Sequence, residues 1–280
     1  MAINTLPAAL RPRTLAPPAP RSRRRLGPGK HIPYGRAIGP VLIIALWSAA
    51  SATGLLDPRM LSAPWTVVST AGDLIATGDL QRNVLASLER ALIGFVIGGV
   101  IGTALAIAAG VSRLGEAFID GPVQIKRAIP TIGLIPLLIL WLGINETFKI
   151  VLIAIAVAVN MYIQVFAGLT GIEHRYVELA EVQGYRRWEF LRHVVFPGAL
   201  PGFFVGLRLS VTASWLILIT VEQINALSGV GYMMSQAQLY AQTDVIVVGL
   251  VVYGIFGYSS DLFIRRVERR VLSWRRTLTS

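Results

Sequence analysis

The sequence predicts an all-α integral membrane protein, a bundle of six transmembrane helices, on three observations. Of its 280 residues 54% are hydrophobic and only 15% charged, with a mean hydropathy of +0.62. Ordinary soluble domains carry about 25% charged residues, so too little polar surface is present to cover a water-facing globule. The apolar residues gather into blocks of about 20, the length a helix needs to cross the hydrocarbon layer. Lys and Arg, finally, are concentrated in alternate connections, as membrane orientation demands.

Taken in order, residues 1–36 are rich in Pro and Arg, with Arg21, Arg23, Arg24 and Arg25 clustered. They hold little that would form a core and read as a disordered basic cytoplasmic tail. The apolar run 37–56 is the first span. Ala50-Ser51-Ala52 resembles the cleavage site of a signal peptide, but the long basic leader and the width of the run favour a retained helix. Further spans fall at 84–110, 128–143, 150–170, 199–222 and 244–264, and residues 265–280 form a second basic cytoplasmic tail. The third span is short and carries Pro130 and Pro136, which predicts a kink whose freed backbone groups are met by neighbouring protein. In the second, Gly94, Gly98, Gly102, Ala106 and Gly110 recur at every fourth position. Such a ridge of small residues lets another helix approach closely; a substrate path along it is the alternative.

Counting Lys and Arg tests the topology. The N-terminal tail holds 8, the second-to-third connection 3, the fourth-to-fifth 4 and the C-terminal tail 6, against 2, 1 and 0 in the others. Only an even number of spans with both termini in the cytoplasm puts 21 of these inside and 3 outside. The formal charge of +11 is thereby explained without nucleic acid, because the arginines do not follow one face. With no cysteine, disulfides, thiolate metal sites and cysteine nucleophiles are excluded. His31, His174 and His193 are too widely spaced for a metal cluster, and no nucleophile–base pair suggests a membrane enzyme. No G-x-x-x-x-G-K-[ST] phosphate loop is present, so ATP hydrolysis by that route is excluded.

Six ionisable residues fall within spans: Glu89, Arg90, Arg208, Glu222, Asp244 and Asp261. Most sit near span ends, where an interfacial place or a local pair accounts for them. Arg208 lies deeper. It either faces the pathway, where it would suit an anion through charge-assisted hydrogen bonds, or pairs with a carboxylate or backbone carbonyls on the cytoplasmic side.

The connection 173–196 is unlike the others. It reads as two short helices broken at Gly184, the residue best able to take a left-handed turn after a helix end. Trp188, Leu191 and Val195 share a face of the second piece, which would lie against the ends of the spans and hold the first piece out as a knob. Pro197 would stop that piece before the fifth span.

The residues Glu178, Ala180, Gly184, Val194 and Pro197 resemble the EAA signature of binding-protein-dependent ABC permeases. There the pattern is Glu-Ala-Ala, three residues, Gly, nine residues, then Ile, any residue, Leu and Pro; here Leu179, Val194 and Phe196 depart from it. The resemblance covers residues 55–275 through Arg90-Ala91-Leu92-Ile93-Gly94-Phe95, Ile129-Pro130 with Ile135-Pro136-Leu137-Leu138-Ile139-Leu140-Trp141-Leu142-Gly143, Pro197-Gly198-Ala199-Leu200-Pro201 and Gly229-Val230-Gly231-Tyr232. These look like the nitrate, sulfonate and taurine branch, and most like aliphatic-sulfonate permeases.

The resemblance implies the type-1 permease fold, with its core at 80–264, in a multi-pass subunit of the bacterial inner membrane. It also implies that the connection is a coupling helix docking into a cytoplasmic ATPase dimer. Glu178 would then meet polar groups of the ATPase, Ala180 would permit close approach, Gly184 would make the turn and Pro197 would close the motif. A second permease copy, as a homodimer, and an extracytoplasmic substrate-binding protein complete the expected assembly. ATP and Mg belong to the ATPase, and no cofactor to this chain.

The cargo implied is an aliphatic sulfonate, with nitrate, taurine or bicarbonate as alternatives. Against the branch pattern of an aromatic-Pro pair, the fourth span has Val159-Asn160. Asn160 and Gln164 share a helix face, where they either line the pathway or hydrogen-bond to a neighbouring helix. An ion-coupled secondary transporter is the competing reading; it would bind substrate and ions near midplane between interrupted helices, and it leaves the exposed connection unexplained.

Overall fold

The computed structural model describes residues 35–274, so the tail assigned to 1–36 lies outside the described residues except at its end, as do the last six residues. Among the described residues every regular element is helical. The chain divides into two units, residues 1–46 and 47–280. The described part of the first is the start of helix α1 (Gly35–Ala52). The second unit continues with α2 (Pro64–Ala76), α3 (Asp79–Val111), α4 (Arg113–Ala128), α5 (Ile135–Leu142) and α6 (Glu146–Thr170). It ends with α7 (His174–Val182), α8 (Arg187–Phe190), α9 (Phe196–Asn225), α10 (Val230–Leu239) and α11 (Thr243–Val271).

Among the described residues four helical stretches are long and apolar enough to cross a membrane: α3, α6, the continuous helix from Arg187 through α9, and α11. A fifth crossing is made if α4 and α5 count as one broken span, bent by 96°. The apolar stretch of α1, Ile38–Ala52, is shorter than the roughly 20 residues of a full crossing. Against the expected six, the described residues thus hold four full-length apolar helices, or five crossings with the bent pair, and α1 falls short of the length of a span.

Helix α6 is central. Phe148, Leu152, Ile153, Val157, Met161 and Tyr162 are almost wholly enclosed, with α3 along one side and α9 along another. Both approaches depend on missing side chains. A Cβ on Gly98 or Gly102 would meet the carbonyl oxygens of Ala154 or Ala158, and Gly202 is as close to the Gln164 carbonyl. The ridge of small residues on α3 is thus a packing surface for α6, held by close backbone approach rather than by water exclusion.

The third span differs from the sequence expectation of 128–143. Its apolar part is only the 3₁₀ turn Thr131–Leu134 and α5, preceded by a polar-faced helix, α4, that turns back along α3 from Ser112. Pro130 sits at the 96° bend, and Pro136 occupies the first turn of α5, where its missing N–H costs nothing. Hydropathy missed α4 because a helix that buries no residue and carries five charges scores as a loop. Helices α2 and α10 were missed because, at 13 and 10 residues, they are too short to register as spans.

At the end of α9 remote from the 173–196 connection lies a buried ionic cluster. Glu222, 1% exposed, accepts hydrogen bonds from Ser87 Oγ (2.8 Å), Arg90 Nη1 (2.8 Å), the Gly231 N–H (2.9 Å) and Tyr253 OH (3.1 Å). Arg90 also donates to both Glu146 oxygens and to the Ser228 carbonyl, and Lys149 Nζ donates to Glu146 at 2.8 Å. Asn83 and Ser87 accept the N–H groups of Gly229 and Val230. Gly229 has φ +122°, and a Cβ there would collide with the Glu222 carboxylate. Five helices, α3, α6, α9, α10 and α11, converge on these charges.

Two stability predictions follow from this packing. Gly98→Leu should destabilise the detergent-purified chain by about 1–3 kcal/mol, while Gly99→Leu, at a position whose Cβ meets nothing within 4 Å, should leave its thermal unfolding unchanged; equal effects would contradict the α3–α6 packing. Glu222→Ala leaves Arg90 buried without its full complement of charge and should cost about 3–5 kcal/mol. Glu89→Ala, on the exposed side of α3, is the control, and a comparable loss there would remove the special status of the cluster.

Candidate functional site

The connection between α6 and α9 is built around Gly184. Helix α7 ends in a Schellman arrangement: the Gly184 N–H donates to the Glu181 carbonyl (3.0 Å) and the Tyr185 N–H to the Ala180 carbonyl (3.0 Å). Gly184 takes φ +70°, a left-handed conformation that glycine adopts without steric cost. The chain then restarts as α8, where the Glu189 carboxylate accepts the Arg186 N–H at 2.9 Å. This is the two-helix form the sequence predicts.

Two details differ. Pro197 does not stop the second piece: one continuous helix of 39 residues runs from Arg187 to Asn225. The turn before it, Leu191–Val195, is a π-turn, wide enough to take the proline ring that would clash with the preceding carbonyl of a regular α-turn. Trp188 does not face the bundle either. It is 65% exposed, and Phe190, Leu191 and Val195 make the inward contacts instead. The π-turn widens the helix and shifts the facing positions away from i, i+3, i+7 spacing.

The result is a projecting knob. Ala180 is buried, whereas Leu179 (54% exposed), Val182 (86%) and Trp188 (65%) are open, with Glu178 beside them. Arg187 Nη2 donates to the Val111 carbonyl (3.4 Å), tying the knob to the end of α3. A cavity of about 440 Å³ lies behind it, lined by Gly168, Tyr176, His193, Pro197, Pro201 and Trp274. A patch of exposed apolar side chains on a knob rigidly joined to a transmembrane helix can take up a force from a docked partner and deliver it along that helix.

The predicted pathway residues separate. Gln164 packs against α9, where Gly202 and Gly206 make room for it. Asn160, one turn earlier, borders a cavity of about 300 Å³ at the α4–α5 break. At 1.5 Å per residue it lies about 21 Å from the Glu146 end of α6 and about 15 Å from the Thr170 end. Neither amide side chain makes a hydrogen bond among the described residues. Arg208 is not open: its Nε donates to Asp261 Oδ1 at 2.9 Å, and Asp261 is also held by Arg265.

Sequence reasoning missed Lys126 and Arg127. Counted there as residues of a cytoplasmic connection, they stand on the last turn of α4 and line the same cavity as Asn160. The Pro130 break after a run of helix-forming residues was the available signal.

Comparison with known proteins identifies what this arrangement belongs to. The chain is 41% identical over 84% of its length to the aliphatic sulfonates transport permease protein SsuC of Escherichia coli, covering 89% of that protein. It is 35% identical over 84% of its length to SsuC of Bacillus subtilis, covering 86% of it. Its fold matches that of a chain of an amino acid ABC transporter solved with histidines, at a TM-score of 0.57 and 14% identity, over 74% of this chain and 97% of that one. The model of the family described as "Binding-protein-dependent transport system inner membrane component" matches residues 94–273, and the chain belongs to that family.

Proposed function

We propose that this permease subunit carries an aliphatic sulfonate across the membrane and takes its driving force through the α7–α8 knob. The observation that carries the coupling half is the knob itself: Leu179, Val182 and Trp188 open to a partner, on either side of a Schellman turn that leads into the continuous helix Arg187–Asn225. The sulfonate half draws on the names of the SsuC relatives.

In this reading a cytoplasmic ATPase dimer binds ATP and Mg, closes, and draws two coupling knobs together. Glu178 meets polar groups of the ATPase, Ala180 keeps the backbone low, and Gly184 and Pro197 shape the turn and its attachment. Because α8 and α9 are one helix, the push reaches the Glu222 cluster at the far end, about 50 Å away along 36 residues from Arg187 to Glu222. There the α10 turn that hangs on Glu222 moves with it, and the substrate-binding protein delivers cargo on that side. ATP shifts a two-state equilibrium between inward and outward access, biased by ligands at both ends.

Two copies supply the pathway, since one bundle of this size leaves little room for a gated route. Both termini lie in the cytoplasm in this reading, which the excess of Lys and Arg in the two tails and the 173–196 connection supports. No cofactor binds this chain; the hydrolysed ATP is held by its partner.

Gly184→Val forces a β-branched residue into the left-handed region. The variant should insert at wild-type yield but lose co-purification with its ATPase, and transport in proteoliposomes should fall at least about tenfold, the effect of roughly 1.4 kcal/mol on docking. Normal co-purification and normal transport would refute the coupling role of the knob.

A further inference from the structure

The cavity at the α4–α5 break holds positive charge that the chain does not neutralise. Arg90, Lys149 and Arg208 each have a carboxylate within 3.0 Å. Lys126 and Arg127 have none within the 4.0 Å of an ion pair among the described residues. Lys126 Nζ, half-buried, makes one hydrogen bond, to Thr131 Oγ1 at 2.6 Å. An ammonium carries three donors and a guanidinium five, so most of the donor capacity here is unspent.

Depth makes this costly. The cavity is walled by Ala156 and Ile217, both buried, and by Asn160 about midway along α6. Lys126 is half-buried and Arg127 exposed at the edge of the cavity; intramembrane cations without a partner are expensive and mark ion or substrate pathways. The backbone itself is irregular here, with Ile129 and Pro130 extended between α4 and the 3₁₀ turn. Non-helical backbone at membrane depth is tolerated where it is enclosed by protein or lines a water-filled cavity. A volume of about 300 Å³ is at the lower end of small-ligand sites. Two cations, one amide and apolar walls match an oxyanion head on a short alkyl tail.

We infer that Lys126, Arg127 and the Asn160 amide form a midway station that holds the anionic head of the cargo, with the alkyl part against Ala156 and Ile217. This rests on the permease reading for its physiological sense, but the site is testable without it. The lysine supplies a point charge, the guanidinium a planar fork suited to two oxygens, and Thr131 orients the lysine. Arg208, engaged by Asp261, takes no part.

The chain has no cysteine, so Ala213→Cys, which lines the cavity, places a single reporter thiol on this subunit. The full chain with its ATPase partner in lipid nanodiscs is treated with two methanethiosulfonate reagents of equal length, one ending in a sulfonate and one in a trimethylammonium. The sulfonate reagent should react about tenfold faster or more, and ethanesulfonate should slow it. Adding Lys126→Gln and Arg127→Gln should abolish both effects while the complex stays assembled; should that double variant not insert, Asn160→Leu on the Ala213→Cys background should weaken the protection.

Equal rates with the two reagents, or no protection by ethanesulfonate, would overturn the station. So would a double variant that falls apart from a parent lacking charge preference, the result if the cations pair with carboxylates of a second copy. A complex that shows the labelling contrast but no ATP-driven uptake would refute the permease reading and leave the anion site standing.

Discussion

A buried carboxylate organises the end of the bundle remote from the 173–196 connection. Glu222 is surrounded by donors from α3, α10 and α11, and its charge is balanced by an arginine that also grips Glu146 at the head of α6. A charge in such a place is tolerated only when every lone pair is met. That requirement dictates much of the local sequence: serine at 87, glycine at 229 and 231, an arginine one turn along α3, a tyrosine on α11. Each of these side chains, or the lack of one, is explained by where the carboxylate must sit.

At the opposite end the demand is different. The knob has few inward contacts and keeps apolar side chains open, which is a poor arrangement for a free surface and a good one for a surface that is covered in use. Between the two ends runs a single helix, packed on α6 through glycines whose backbones nearly touch. Close backbone packing leaves little compliance between α6 and α9. The chain thus joins a soft docking surface to a tightly satisfied ionic cluster.

Much of this architecture was readable from hydropathy. The long apolar helices α3, α6, α9 and α11 each contain one of the apolar runs 84–110, 150–170, 199–222 and 244–264, though α11 runs on to Val271 and the helix of α9 begins back at Arg187, and the ridge from Gly94 to Gly110 announced a close-packed face. The turn at Gly184 was legible because one residue type dominates that conformation. What the one-dimensional pattern lacked was contact. Arg90 and Glu222 are 132 positions apart, and nothing in either neighbourhood identifies the other. Pro197 was misread as a stop because a π-turn ahead of it relieves the clash that a proline ordinarily causes. Helix α4 was read as a loop, which concealed that Lys126 and Arg127 line the same cavity as Asn160.

A permease driven through its knob by a separate ATPase should respond to its binding protein at the ATPase. The most direct test is the rate of ATP hydrolysis by the purified chain and its ATPase in lipid, titrated with substrate-binding protein loaded with different small anions. Stimulation by the sulfonate-loaded protein, absent with the unloaded one, is the predicted result. Failure of the chain to form a stable complex with any ATPase, or hydrolysis indifferent to every loaded binding protein, would contradict it.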